Sequence, residues 1–163
     1  MNRSILTLIS FLALFSLETE AANFFDEAEE FFSEHVNSKG LVNYKAIKNK
    51  PENLNSLVAM IGVADLESME GNEKKAFLIN SYNILVIKGI INNYPTSSPL
   101  DIDSFFKKIE YKVGGEQLTL SDLENEVIMS EFPDARLHFA LVCAAKGCPP
   151  LKSDAYLPEK LEN

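Results

Sequence analysis

Both cysteines of the chain and one of its two histidines fall in a single short stretch, His138–Leu151, which reads HFALVCAAKGCPPL. Such a set can make a nucleophilic thiol with its base, a disulfide, or part of a metal site. Cys148 sits beside Gly147 and is followed by Pro149-Pro150, a constrained turn after an apolar run, and reactive side chains are commonly displayed on loops of this kind. A free thiol near neutral pH is only slightly ionised, so Cys148 needs a base or a positive neighbour to act as a nucleophile. His138 is the candidate base. It lies well upstream of Cys148, and five residues of strand already span about 16 Å. The loop would therefore have to fold back over the strand to join the two. The other reading of His138 is a buried strand histidine bonded to backbone.

A disulfide between Cys143 and Cys148 competes with the thiol. Closing that short loop is worth roughly 2 kcal/mol if unstrained, and a bridged Cys148 is not a standing nucleophile. Unbridged, Cys143 would be a small buried hydrophobe inside the apolar strand. A zinc site from His138, Cys143 and Cys148 lacks a fourth ligand and any tight paired spacing, so neither a metal nor a cofactor is expected.

Asn80 and Asn83 stand three residues apart in an otherwise apolar helix, on the stripe of Ala76, Phe77, Ile84 and Ile87. Burying two amides is costly unless each is hydrogen-bonded. A loop backbone is one partner for them. An active-site histidine or an oxyanion position is the other. Glu124, bordered by Leu120 and Ile128, is a solvated first-turn carboxylate favoured by the helix dipole, or the acid that orients His138 in a Cys-His-acid arrangement.

The elements that would hold these residues follow from hydrophobic spacing. Asn23–His35 reads as an amphipathic helix with Phe24, Phe25, Ala28, Phe31 and Phe32 on its apolar face. Ser38-Lys39-Gly40 closes it, and Leu41–Tyr44 is a short extended piece. A weaker helix runs around Pro51–Ile61, with Pro51 in the first turn, and Glu67–Glu73 is polar connection. Lys74–Asn92, containing AFLINSYNILVIKGII, is apolar nearly all round and must be buried on most faces. Pro95 forbids its continuation. After a loop over Pro95–Leu100 and a short helical turn over Asp101–Lys108, Glu110–Thr119 carries a hairpin pattern around Gly114-Gly115. Thr119 is an N-cap for a helix using Leu120, Leu123, Val127 and Ile128. Arg136–Cys143 is read as a compact buried strand, followed by a turn over Ala144–Pro150. The order predicts an α+β fold: N-terminal helices and a buried central helix packed on a small sheet made of the hairpin and that strand.

The start of the chain reads as a secretory signal. Arg3 precedes an apolar run over Ile5–Leu17, and small residues surround a cleavage position after Ala21. This predicts a single domain over residues 22–163, located outside the cytoplasm, in the periplasm or secreted, with no membrane span once the signal is removed. An oxidising destination makes a disulfide an ordinary outcome for two cysteines. The net charge of −9 at pH 7 repels phosphate backbones, so nucleic acid is not an expected partner; the sequence names no partner and leaves a protein or peptide open.

With these residues assembled, the chain resembles the domain of unknown function 547 family. The resemblance rests on EHVNSKGLVNY (Glu34–Tyr44), AFLINSYNILVIKGII (Ala76–Ile91), Pro99–Phe106, VGGEQLTLSDLENEVI (Val113–Ile128) and HFALVCAAKGCPPL. Its signature positions here are Asn80, Tyr82, Asn83, Glu124, His138, Cys148 and Pro149. The resemblance implies a compact domain, known from bacterial secreted proteins and from plants and animals, with no assigned reaction and a distant likeness to papain- and transglutaminase-like thiol hydrolases. Family members run several dozen residues past the CPPL segment, so the chain is expected to lack its C-terminal part. Two functional readings stand: a binding or structural module locked by a Cys143–Cys148 bridge, and a cysteine-dependent hydrolase or acyltransferase using Cys148 with His138.

Overall fold

Five apolar positions at helical spacing nucleate the first element. In the computed structural model, which describes residues 24–145 and 148–161, residues 24–35 form helix α1. Phe24, Phe25, Ala28, Phe31 and Phe32 are all buried on its inner face. The signal segment and its cleavage position near Ala21 lie outside the described residues. The chain leaves α1 through an antiparallel bridge between Val36 and Val42. The turn between them is held from inside by Asn37, whose Oδ1 accepts the N–H groups of Lys39 at 2.9 Å and Leu41 at 3.1 Å.

Asn43 then caps a helix that hydrophobic spacing does not announce. Its Oδ1 accepts the Ala46 N–H at 3.1 Å and starts α2 (Tyr44–Asn49), a side-chain cap of the usual kind. With only Ile47 buried, α2 is too short to show a period. Helix α3 (Glu52–Val63) follows, with Pro51 at its N-cap rather than within its first turn.

Helix α4 (Gly71–Asn92) is the centre of the molecule. It begins inside the stretch read as polar connection, because its first turn is hydrophilic and carries no apolar signal. Every residue from Ala76 to Ile87 is buried. Both α2 and α3 pack on α4, and the rings of Phe24 and Phe77 meet at 4.4 Å.

Where a short helical turn is expected over Asp101–Lys108, the chain makes a 3-10 turn at Pro99–Asp101 followed by further turns. The hairpin forms as the glycine pair requires. Strands β1 (Glu110–Val113) and β2 (Glu116–Thr119) pair antiparallel, Tyr111 opposite Leu118. Gly114 and Gly115 take φ of 56° and 91°, the left-handed values that a two-residue turn of this type demands. The Gly114 and Gly115 N–H groups donate to Ile61 and Gly62 carbonyls at 3.0 Å each, so the turn also satisfies the end of α3.

Thr119 begins the next helix with a reciprocal capping box to Asp122. Its first turn, α5 (Leu120–Asp122), passes into a π-helical stretch, Leu123–Ile128, and closes as α6 (Met129–Glu131).

Arg136–Cys143 is not a strand. Leu137–Ala140 forms a helical turn, α7, started by Asp134, whose side chain accepts the Arg136 N–H at 3.0 Å and whose carbonyl accepts that of Leu137 at 3.0 Å. Leu137, Ala140 and Leu141 are buried, while His138 and Phe139 are exposed, a three-to-four residue period. A short apolar run does not by itself separate helix from strand. The fold is α+β, and among the described residues its sheet is the two-stranded hairpin. No described helix is long and apolar enough to cross a membrane.

Candidate functional site

The cysteine-bearing segment is hung on α4 by two amides. Asn83 Nδ2 donates to the Ala140 carbonyl at 2.9 Å, and its Oδ1 accepts the Val142 N–H at 2.9 Å. Asn80 does the same one turn earlier: Nδ2 donates to the Tyr156 carbonyl at 2.7 Å and Oδ1 accepts the Tyr156 N–H at 2.9 Å. Each side chain offers one donor and one acceptor to one piece of backbone, which is what a neighbouring strand would offer. That explains how residues 140–142 meet the need for backbone pairing without joining a sheet. Both asparagines are almost wholly buried, so of the two expected partners the structure supplies loop backbone. The far part of the segment is also held by Glu29 of α1, whose Oε2 accepts the Ala155 N–H at 2.6 Å.

Between these anchor points Cys143 and Cys148 are joined through their sulfurs, with Cα atoms 6.2 Å apart. Cys143 is half-buried after α7 rather than a free hydrophobe within a strand. Pro149, Pro150 and Leu151 then pass over the turn that follows α1. Gly40 there has φ of +73°, and a methyl group on it would stand 2.9 Å from both the N and O of Leu151 and against the Pro150 ring. Only glycine admits this approach. In the sequence Gly40 reads merely as the close of a helix, and nothing local reveals its tertiary contact.

A cleft of about 340 Å³ opens where these pieces meet. Val42, Val86, Ile87, Val142 and Leu151 form apolar walls, and Lys39, Tyr44 and Cys148 also line it. Burial raises the Tyr44 phenol above its ordinary pKa. Tyr44 was not singled out by sequence, since its role depends on α2.

The remaining candidates are placed elsewhere. His138 is exposed on α7, not a buried strand histidine, and it does not line the cleft. Glu124, on the π-helical stretch, accepts a hydrogen bond from the Tyr82 hydroxyl at 3.1 Å. Burial first, and then the neighbouring Glu124 charge, push the Tyr82 phenol well above its usual range. Among the described residues no hydrogen bond links Cys148, His138 and Glu124 into a relay. The Asn80-Ser81-Tyr82-Asn83 run of α4 thus fixes three other segments: Tyr156, the π-helical stretch, and residues 140–142.

Asp134 pins the corner before α7. Arg136, and then Lys75 at 2.9 Å, hold its carboxyl well below the usual carboxylate range. A second histidine, His35, went unremarked in the sequence. It is buried at the end of α1, against the Phe31 ring at 5.0 Å, beside another cleft of about 510 Å³. No group of three or more potential metal ligands occurs among the described residues.

Comparison with curated proteins and with solved structures finds no match for this chain. A family profile described as Protein of unknown function, DUF547, matches residues 66–163. The match takes in α4 with its paired asparagines, the hairpin, Glu124, His138 and both cysteines, and leaves residues 34–44 outside it. Covering more than half of the sequence, it makes the chain a member of the DUF547 family.

Proposed function

We propose that the domain is a secreted or periplasmic ligand-binding module whose recognition site is the cleft beside Cys148. The observation that carries this reading is the chemistry of the lining. With Cys143 and Cys148 bonded to each other, the cleft holds no thiol, and the Asn83 amide is engaged at both ends by Ala140 and Val142. Apolar walls with a few polar groups suit binding. The reading of residues 1–21 as a leader supports it, because a bridge of this kind persists in an oxidising compartment.

A second reading draws on one fact: Cys148 lines the cleft. Reduced, it would present a thiol to anything bound there, as a cysteine-dependent hydrolase or acyltransferase requires, with His138 as base and Glu124 behind it. That arrangement needs α7 to turn His138 inward. The two readings separate in one experiment on protein exported by its own leader. Intact mass and a peptide map without reductant should show a peptide starting near Ala22 and a Cys143–Cys148 cross-link. Two free thiols, with Cys148 alkylated by iodoacetamide faster than Cys143, would overturn the binding-module reading in favour of the thiol enzyme.

A further inference from the structure

We infer that the cleft takes an apolar chain ending in a carboxylate, a medium-chain fatty acid in chemical terms. The inference rests on the cleft being a binding site. Its first support is the sign of the charge. The chain carries 24 acidic against 15 basic residues, yet among the described residues no aspartate or glutamate lines this cleft, whereas a lysine, Lys39, does. In a chain of net charge −9, that is the local reverse of the overall field. A cationic ligand would meet Lys39 with no acidic counter-charge among the described lining residues, whereas an anion is attracted to it.

The second support is the hydrogen-bonding inventory. Asn83 is consumed by backbone, and Cys148 is bridged. Among the described residues two polar side chains are left to a ligand, the Lys39 ammonium and the Tyr44 hydroxyl, and neither has a side-chain hydrogen bond there. Both are donors, and Tyr44 stays a donor through the physiological range because burial raises its pKa. Two donors match the two oxygens of a single carboxylate. A peptide would bring an N–H and a C=O per residue into walls made of Val42, Val86, Ile87, Val142 and Leu151, where those groups would go unpaired at a cost. An alkyl chain brings none. Leu41, an exposed large hydrophobe, also lines the cleft and adds to its apolar surface.

The test is calorimetric titration of the oxidised protein with decanoate below its micelle concentration. Decanol, decyltrimethylammonium and an apolar pentapeptide with a free C-terminus serve as comparison probes, and nitrogen-15 shifts of Val42, Val86 and Val142 report the location. Decanoate should bind with shifts at those three residues, decanol about fivefold to tenfold more weakly, and the cation not measurably. Lys39→Glu should weaken decanoate by about tenfold and Tyr44→Phe by a few fold, with decanol unaffected by Lys39→Glu and thermal midpoints unchanged. Decanol binding as well as decanoate, or indifference to Lys39→Glu, would overturn the carboxylate proposal while leaving the cleft a binding site. Binding of the peptide but not decanoate would replace it with a peptide site. If no probe binds, the cleft reading fails with it.

Discussion

Replacing Asn83 by alanine tests whether side-chain amides stand in for a strand. The substitution removes two hydrogen bonds of 2.9 Å, to the Ala140 carbonyl and from the Val142 N–H, at a residue that is 2% exposed. Each buried backbone group left without a partner costs about 1–3 kcal/mol. Alanine returns about 0.5 kcal/mol of helix propensity. The expected loss is therefore about 2–5 kcal/mol, read from urea unfolding with an unchanged slope. The loss should be local as well as global, so the Val142 amide should exchange faster than the hairpin amides of Tyr111 and Val113. Asn80→Ala should cost a similar amount through Tyr156. The double variant should lose less than the sum, because both anchor one segment and loosening either end releases part of the other. A loss under about 1 kcal/mol for Asn83→Ala, with Val142 still protected, would refute the strand-substitute argument.

Three further outcomes are expected. Gly40→Ala, forced into φ of +73° and against Pro150 and Leu151, should destabilise by about 2–4 kcal/mol in thermal or urea unfolding, and it should shift the resonances of Pro150 and Leu151. Arg136 and Lys75 lower the Asp134 pKa, so their stabilisation is present above the ordinary carboxylate pKa of about 4 and lost as pH falls below it. Urea midpoints of the wild type and Asp134→Asn should converge on acidification. The Tyr82 pKa is raised, so its contribution is full below an unfolded phenol pKa of about 10 and declines as pH rises beyond that. Tyr82→Phe should accordingly be the less stable form at neutral pH and lose its disadvantage in alkali.

What was legible in the sequence divides by range. The central helix and the hairpin announced themselves through local signals: a long apolar run bounded by Pro95, and a glycine pair between strand-like residues. The Thr119 cap was equally local. The need to satisfy Asn80 and Asn83 was also readable, since a buried amide must be bonded, but the identity of the partners was not, because Ala140, Val142 and Tyr156 are brought to α4 only by the folded chain. Residues 137–140 show the limit most clearly. Four apolar or half-apolar residues are consistent with either period, and the Asp134 side chain and carbonyl, not the run itself, decided for a helical turn. Gly40 and Tyr44 were missed for the same reason: one is defined by the approach of Leu151, the other by a helix that a single asparagine cap begins.

The hairpin turn that donates its glycine N–H groups to Ile61 and Gly62 ties the fate of two distant stretches of chain together. A helix whose last carbonyls are answered by its own C-terminal residues can complete itself early, as a local event. Helix α3 cannot. Its last carbonyls are answered by chain that lies beyond α4 in sequence, so the end of α3 is expected to consolidate only once that loop closes. In the native state the same arrangement makes opening cooperative, since fraying at Ile61 exposes the hairpin turn and loosening of the turn frays α3. The two should behave as one exchange unit, with the hairpin serving as the clasp of the first half of the molecule.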